Sequence, residues 1–485
     1  MTAAEPASCD PFAFRTIDDL ASLLARGEVT SVQLTRLVLD RLAADGPALN
    51  AVAALLPERA LREAAAVDRR RRSGAVLSPL AGIPYGAKDL LAARGAPTAY
   101  GAAPFRNQVF EFDAAPIQRL AARGAVLAAK VALMELVGLH AMTAHASMHG
   151  PGRNPWDPRR WSGGSSSGSA AAVAAGQVPY ALASETGGSI GTPSSLCGVT
   201  GLRPTYGLVS RHGAMPLSWT LDKIGVIARS ARDCGLVLDA IAGPDARDPA
   251  SARRRFRYQP TDRPADALRS LRVGVADSDL RDSAAPAIRP ALHGAVATLS
   301  AEGAAVREVA LPPHAYREVI ATVIGAESAS AWGDWIERGE FEGIVDAGTP
   351  GALRASLGIT ARDYLDAMRI RRRIVSGMAE LFRSVDVLVS YAVPWPAPDV
   401  DLPFPPVAGK GGLSQLIAAS NLAGLPAIFL PVGFTTSGLP VGIQVVGPAF
   451  SEGRLIAIGE AFQAVTDWHT RVPPAVGAGR SGAAS

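Results

Sequence analysis

The chain has 485 residues, 48% hydrophobic and 19% charged, so it can bury one large α/β core or two ordinary ones, and disorder is excluded for most of its length. No run of eighteen uncharged apolar residues occurs, and the N-terminus has no basic flank before an apolar stretch, so neither a membrane span nor a signal peptide is indicated and a cytoplasmic protein is expected. The formal charge is +4, and the basic runs at 69–72 and 253–257 read as solvated helix ends and loops, with no nucleic acid partner expected.

In chain order, a helical arm comes first, over about residues 10–60. One helix opens at Thr16 with Asp19 three residues on, and a second opens at Ser31 with Leu34, Leu37, Val38 and Leu42 on one face. From about residue 80, short β-like runs alternate with helical patterns: AGIPYGAKD, GAVLAAKVA, QVPYALASE, LRVGVAD, DVLVSYAV, AIFLPVGF and LPVGIQVVG. This alternation predicts an α/β fold, a large mixed sheet with helices on both faces. The interval of about 244–384 reads as a helical insertion, 393–406 as a proline-dense surface loop, and 475–485 as a disordered tail after a single domain spanning 1–474.

Cys9, Cys197 and Cys234 are odd in number and widely spaced, which argues against a disulfide framework or a cysteine zinc site. Lysine occurs only at Lys88, Lys130, Lys223 and Lys410, while arginine is abundant. Each lysine therefore invites the question whether arginine could replace it, because a buried lysine can become a neutral base and arginine cannot.

The stretch 162–176, SGGSSSGSAAAVAAG, runs from glycines and serines into a helix-forming segment. A phosphate-binding loop is disfavoured because no lysine follows the glycines. Gly164 to Gly168 matches a GxSxG nucleophile elbow centred on Ser166, but RNPWDPRRW before it is not a buried strand. His145 and His149 are spaced i, i+4 with His140 nearby, yet glycine and proline follow at once and no HExxH glutamate is present, so no metal site is expected. No cofactor is expected either.

Three segments combine better: GIPYGAKDL with Lys88, the glycine-serine loop, and ASETGGSIGTPSS with Ser189 after Thr186-Gly187-Gly188. Glycines before a nucleophilic serine let backbone N–H groups approach a developing oxyanion, and a neutral lysine acting through a second hydroxyl can remove the serine proton. Together with RNPWDP at 153–158, GLRPTYGLVS at 201–210, SNLAGLPAIFLPVG and GLPVGIQVVGP, these segments resemble the amidase signature family over roughly residues 16–474.

The resemblance implies Ser189 as nucleophile, Ser165 as the bridging serine after a cis peptide bond, Lys88 as base, and backbone amides around Thr186, Gly187 and Gly188 as the oxyanion hole. Ser166 and Ser167 are expected to satisfy loop hydrogen bonds, and Ser169 to support the relay or cap the following helix. Arg203, Asp89 and Asp222 are expected either to support the site or to be purely structural. Met142, with Trp332, Trp335, Trp395 and Phe404, is the expected lining of an apolar acyl pocket.

Two departures stand out: Gly191 follows Ile190 where most members of the family carry arginine, and Ser414 lies seven residues before Asn421. The glutamine-dependent tRNA amidotransferase A subunits of this family carry aspartate at that second position, to hold the glutamine amino group. On this basis the sequence predicts a free-standing amidase, with a homodimer among the expected assemblies, acting on a small-molecule amide. A carbamate or ester is the alternative substrate, and the amidotransferase role is disfavoured.

Overall fold

The computed structural model describes residues 11–138, 141, 143–276, 283–404 and 414–474. Met142, Cys9 and the tail expected to be disordered from residue 475 lie outside the described residues.

The chain opens with α1 (Ile17–Arg26) and α2 (Ser31–Leu49), whose caps Thr16 and Thr30 form capping boxes with Asp19 and Gln33. Next come β1 (Val52–Leu55), α3 (Pro57–Arg72), β2 (Pro84–Lys88), α4 (Ala115–Ala122) and β3 (Val126–Val131). The short pair β4 (Arg153–Asn154) and β5 (Asp157–Trp161) leads into α5 (Ser167–Ala174), β6 (Tyr180–Glu185), α6 (Gly191–Cys197), β7 (Thr200–Arg203), β8 (Lys223–Ala228) and α7 (Ala231–Ile241).

Within the interval read as a helical insertion lie β9 (Arg272–Ala276), α8 (Arg289–Ala301), β10 (Ala305–Val309), α9 (Tyr316–Arg338), α10 (Thr349–Ser356) and α11 (Ala361–Leu381). The chain continues with β11 (Val387–Tyr391), α12 (Gln415–Leu422), β12 (Ala427–Phe434), β13 (Pro440–Val446) and α13 (Glu452–Val465). That interval is not wholly helical, because β9 and β10 pair in parallel and β9 pairs with β11, joining the main sheet.

Among the described residues one sheet has eleven strands in the order β1-β3-β2-β6-β8-β7-β12-β13-β11-β9-β10. It is mixed: β2 is parallel to both neighbours, β3 and β6, whereas β6, β8, β7, β12 and β13 run antiparallel in succession. Alternate residues of one strand enter different clusters, Leu182 and Ile428 in one, Ala181, Ala183, Ala427 and Phe429 in the other. Both faces of the sheet are therefore buried, one beneath α1, α4, α7, α8 and α13 and the other beneath α2, α3, α5, α9, α11 and α12.

The alanine-rich α5 is buried along its whole length. Small side chains let it lie close to its neighbours, and a Cβ added at Gly168 would come within 2.3 Å of the Ala51 carbonyl oxygen. This close approach seats the start of α5 against Ala51 and Ala132, beside β1 and β3. Among the described residues no helix is long and apolar enough to cross a membrane.

Candidate active site

Lys88 ends β2, Ser165 and Ser166 precede α5, and Ser184 lies near the end of β6; strand pairing of β2 with β6 brings them together. The Lys88 side chain is fully buried. Its Nζ lies 2.8 Å from Ser165 Oγ, 2.8 Å from Ser166 Oγ and 2.9 Å from Ser184 Oγ.

Burial drives the Lys88 ammonium well below the ordinary lysine range, against the opposing pull of Asp222 and Glu185. A neutral amine donates two hydrogen bonds and accepts one, so one of the three hydroxyls must donate to it. Ser166 Oγ donates to the Ser184 carbonyl at 3.3 Å, which leaves Ser165 or Ser184 as that donor. Ser165 follows a cis peptide bond from Gly164 and also lines the cavity that holds Ser189.

Ser189 is half-buried in the turn between β6 and α6. Among the described residues, none accepts a hydrogen bond from the N–H of Gly187, Gly188 or Ser189, while Thr192 N–H donates to the Gly188 carbonyl at 2.8 Å. The turn thus presents backbone donors to the cavity, which is the arrangement an oxyanion needs.

Beneath the turn sits Glu185, fully buried, whose Oε2 accepts from Ile190 N–H at 2.9 Å and Gly191 N–H at 3.0 Å. Its Oε1 accepts from Arg203 and from Asn421 Nδ2 at 2.9 Å. Burial raises the Glu185 carboxyl, but Arg203, Asn421 and the Gly191 amide outweigh it and hold the pKa below the usual range. The space beside Gly191 is taken by Phe429, whose ring lies 2.3 Å from where a Cβ would stand, so the turn is built around the missing side chain.

The cavity over Ser189 measures about 410 Å³. Met134, Val137, Trp161, Leu217, Ile320, Ile324, Trp395 and Phe404 supply the large apolar side chains of its wall, and no charged side chain lines it among the described residues. Of the expected pocket residues, Trp395 and Phe404 are in this wall, Met142 lies outside the described residues, and Trp332 and Trp335 pack instead with Tyr100 and Phe105.

Several expectations for the neighbours change. Ser166 is fully buried against Lys88, which is no place for the nucleophile of a GxSxG elbow. Ser169 Oγ donates to the Leu182 carbonyl of β6 at 3.1 Å and neither reaches Lys88 nor caps α5. Ser184, which sequence reasoning missed, completes the hydroxyl cage because β6 runs beside β2, a pairing that no motif around Ser184 marks. Asp222 accepts from Thr186 Oγ1 at 2.6 Å, Arg203 pairs with Glu185, and Asp89 pairs with Lys130 at 2.7 Å.

The family model described as Amidase matches residues 33–456. This chain belongs to the amidase signature family, whose chemistry is at the amide C–N bond, in hydrolases or amidotransferases. The glutamyl-tRNA(Gln) amidotransferase A subunit from Roseiflexus sp. (strain RS-1) is 37% identical over 94% of this chain and 98% of its own length. The solved A subunit of the same name from Thermotoga maritima superposes with a TM-score of 0.81 at 28% identity, covering 94% of this chain and 96% of that one. The solved peptide amidase from Stenotrophomonas maltophilia superposes at 0.83 with 32% identity, covering 96% and 98%.

These likenesses overturn the expectation of a free-standing amidase for a small-molecule amide, carbamate or ester with no nucleic acid partner, because the curated relatives spanning nearly the whole chain are glutamyl-tRNA(Gln) amidotransferase subunits. The structure shows why residue 414 misleads. Ser414 is fully buried at the start of α12, where its Oγ accepts from Leu416 N–H at 3.0 Å and Gln444 Nε2 at 2.9 Å. It is not among the described residues that line the cavity over Ser189.

Proposed function

We propose that this chain is the amide-cleaving A subunit of a glutamine-dependent tRNA amidotransferase. The observation that carries the reading is the 37% identity to a glutamyl-tRNA(Gln) amidotransferase A subunit over 94% of this chain, joined to a lysine-serine cage beside a serine-bearing cavity. A single sheet collecting strands from Val52 to Val446 supports reading residues 1–474 as one domain.

In this reading neutral Lys88 accepts the Ser165 proton, Ser165 takes the proton of Ser189, and Ser189 Oγ attacks the amide carbonyl carbon. The negative charge that develops on the carbonyl oxygen is held by backbone N–H groups of the Thr186, Gly187, Gly188 and Ser189 turn. As the C–N bond breaks, Ser165 delivers a proton to the departing nitrogen, which leaves as ammonia for use by the partner subunits. Water then cleaves the acyl-Ser189 ester through the same relay run again.

The test is ammonia release from glutamine, measured for the chain alone and assembled with the partner subunits and glutamylated tRNA(Gln). Release dependent on that assembly and abolished by Ser189→Ala is expected. Release from benzamide at one rate with or without the assembly, with none from glutamine, would overturn the proposal.

A further inference from the structure

One face of α9 carries Ile320, Ile324 and Glu327, spaced i, i+4 and i+7, so the three side chains lie along a single stripe. The two isoleucines line the cavity and lie over the nucleophile turn: a Cβ at Gly187 would stand 3.5 Å from Ile320 Cδ1 and 3.8 Å from Ile324 Cδ1. Glu327 is 1% exposed and belongs to no motif in the sequence.

Its carboxylate gathers one short loop. Glu327 Oε2 accepts from Ser218 Oγ and from Thr220 N–H at 3.1 Å, and Oε1 accepts from Thr220 Oγ1 at 2.7 Å and from Tyr364 of α11 at 2.9 Å. Arg371 of α11 backs the same loop, donating to Thr220 Oγ1 at 2.6 Å and to the Thr220 carbonyl at 2.8 Å.

The other side of that loop is held by Asp222, whose Oδ2 accepts from Leu217 N–H and Ser218 N–H, both at 2.9 Å. Asp222 Oδ1 accepts from Thr186 Oγ1 at 2.6 Å. Ser218 is thus the joint: its backbone amide binds the carboxylate that holds Thr186, and its hydroxyl binds Glu327 on the helix that walls the cavity.

We infer that Glu327 is a positioning residue for the reaction, fixing Thr186 and the oxyanion-binding turn through Ser218 and Asp222. The inference rests on the acyl-enzyme reading of Ser189. Because α9 carries both the cavity wall and this carboxylate, the element that touches the acyl group also sets the orientation of the donors that receive its oxyanion. A buried carboxylate that merely ties a helix to a loop would support folding without touching the acylation rate of the folded fraction.

A double-mutant cycle between Glu327→Gln and Thr186→Val separates the two roles. The measurement is the acylation rate constant from the 4-nitrophenyl butyrate burst, with the burst amplitude counting active sites so that loss of folded protein does not enter the rate. Glu327→Gln is expected to slow acylation about tenfold per active site, since a small misplacement of reacting groups costs up to about a hundredfold. The double variant should be no more than about twofold slower than Thr186→Val alone, because the path from Glu327 ends at the Thr186 hydroxyl.

Multiplicative losses in the double variant overturn the inference. So does wild-type acylation per active site in Glu327→Gln, with or without a lowered melting temperature. Ser218→Ala cuts the same link from the loop side and repeats the cycle if Glu327→Gln is insoluble. Absence of any acyl-Ser189, both from 4-nitrophenyl butyrate on the chain and from glutamine in the assembly, refutes the acyl-enzyme reading itself, whereas acylation with multiplicative losses refutes only the role of Glu327.

Discussion

Replacing Lys88 by arginine tests the centre of the proposed chemistry. Lys88 is fully buried, with three hydroxyl oxygens within 2.9 Å of Nζ, and burial pushes its pKa well below the usual lysine value. Guanidinium does not deprotonate in a protein, so Lys88→Arg removes the base and introduces a permanent cation. The neighbouring carboxylates have no room for it. Asp222 already accepts from Thr186 and two backbone amides, and Glu185 from Arg203, Asn421 and two backbone amides.

Loss of a positioned general base costs about 10²–10⁴ in rate. At 1.36 kcal/mol per tenfold this is about 3–5 kcal/mol of barrier, and Lys88→Ala should lose about the same. The assay is the acylation rate in a 4-nitrophenyl butyrate burst across pH. Wild type should lose rate on the acid side as Lys88 becomes protonated, and because burial lowers its pKa that loss should set in well below the pH at which an ordinary lysine titrates. An arginine variant that keeps more than about a tenth of wild-type acylation would refute the assignment.

Lys88 also makes a stability prediction with a definite sign. Between its lowered folded pKa and the ordinary lysine value of about 10.4, the unfolded chain holds one more proton than the folded one, so raising pH stabilises the fold. The melting temperature of wild type should therefore rise more between pH 7 and 9.5 than that of Lys88→Met, and equal slopes would contradict a neutral Lys88. Glu185→Gln leaves Arg203 buried without its counter-charge and should cost about 3–5 kcal/mol in urea unfolding. Gly191→Ala drives a methyl into the Phe429 ring and should cost about 1–3 kcal/mol in the same assay; unchanged stability would mean that the ring gives way freely.

Much of this protein is readable in one dimension. Helix starts at α1 and α2 are written in their Thr-x-x-Asp and Thr-x-x-Gln boxes, and β12 is a continuous apolar run, with β3 and β13 broken only by Lys130 and Gln444, because both faces of the sheet are covered. Lys88, Ser165 and Ser189 stand in the three motifs that carry the family resemblance. By contrast β7 is short, β8 begins on the buried Lys223, and β10 mixes charged and apolar residues at an edge, so these strands are harder to read from the sequence.

The rest was decided by tertiary structure, because the deciding contacts join residues far apart in sequence. Lys88 and Ser165 are separated by 77 positions, Ser218 and Glu327 by 109, and Glu185 and Asn421 by 236. No local pattern tells that Ser184 closes the lysine cage, that Phe429 occupies the space beside Gly191, or that Ser414 is a buried cap away from the cavity. Residue types establish which groups can hold or move a proton; only the packing of the sheet against α5, α9 and α12 determines which of them meet.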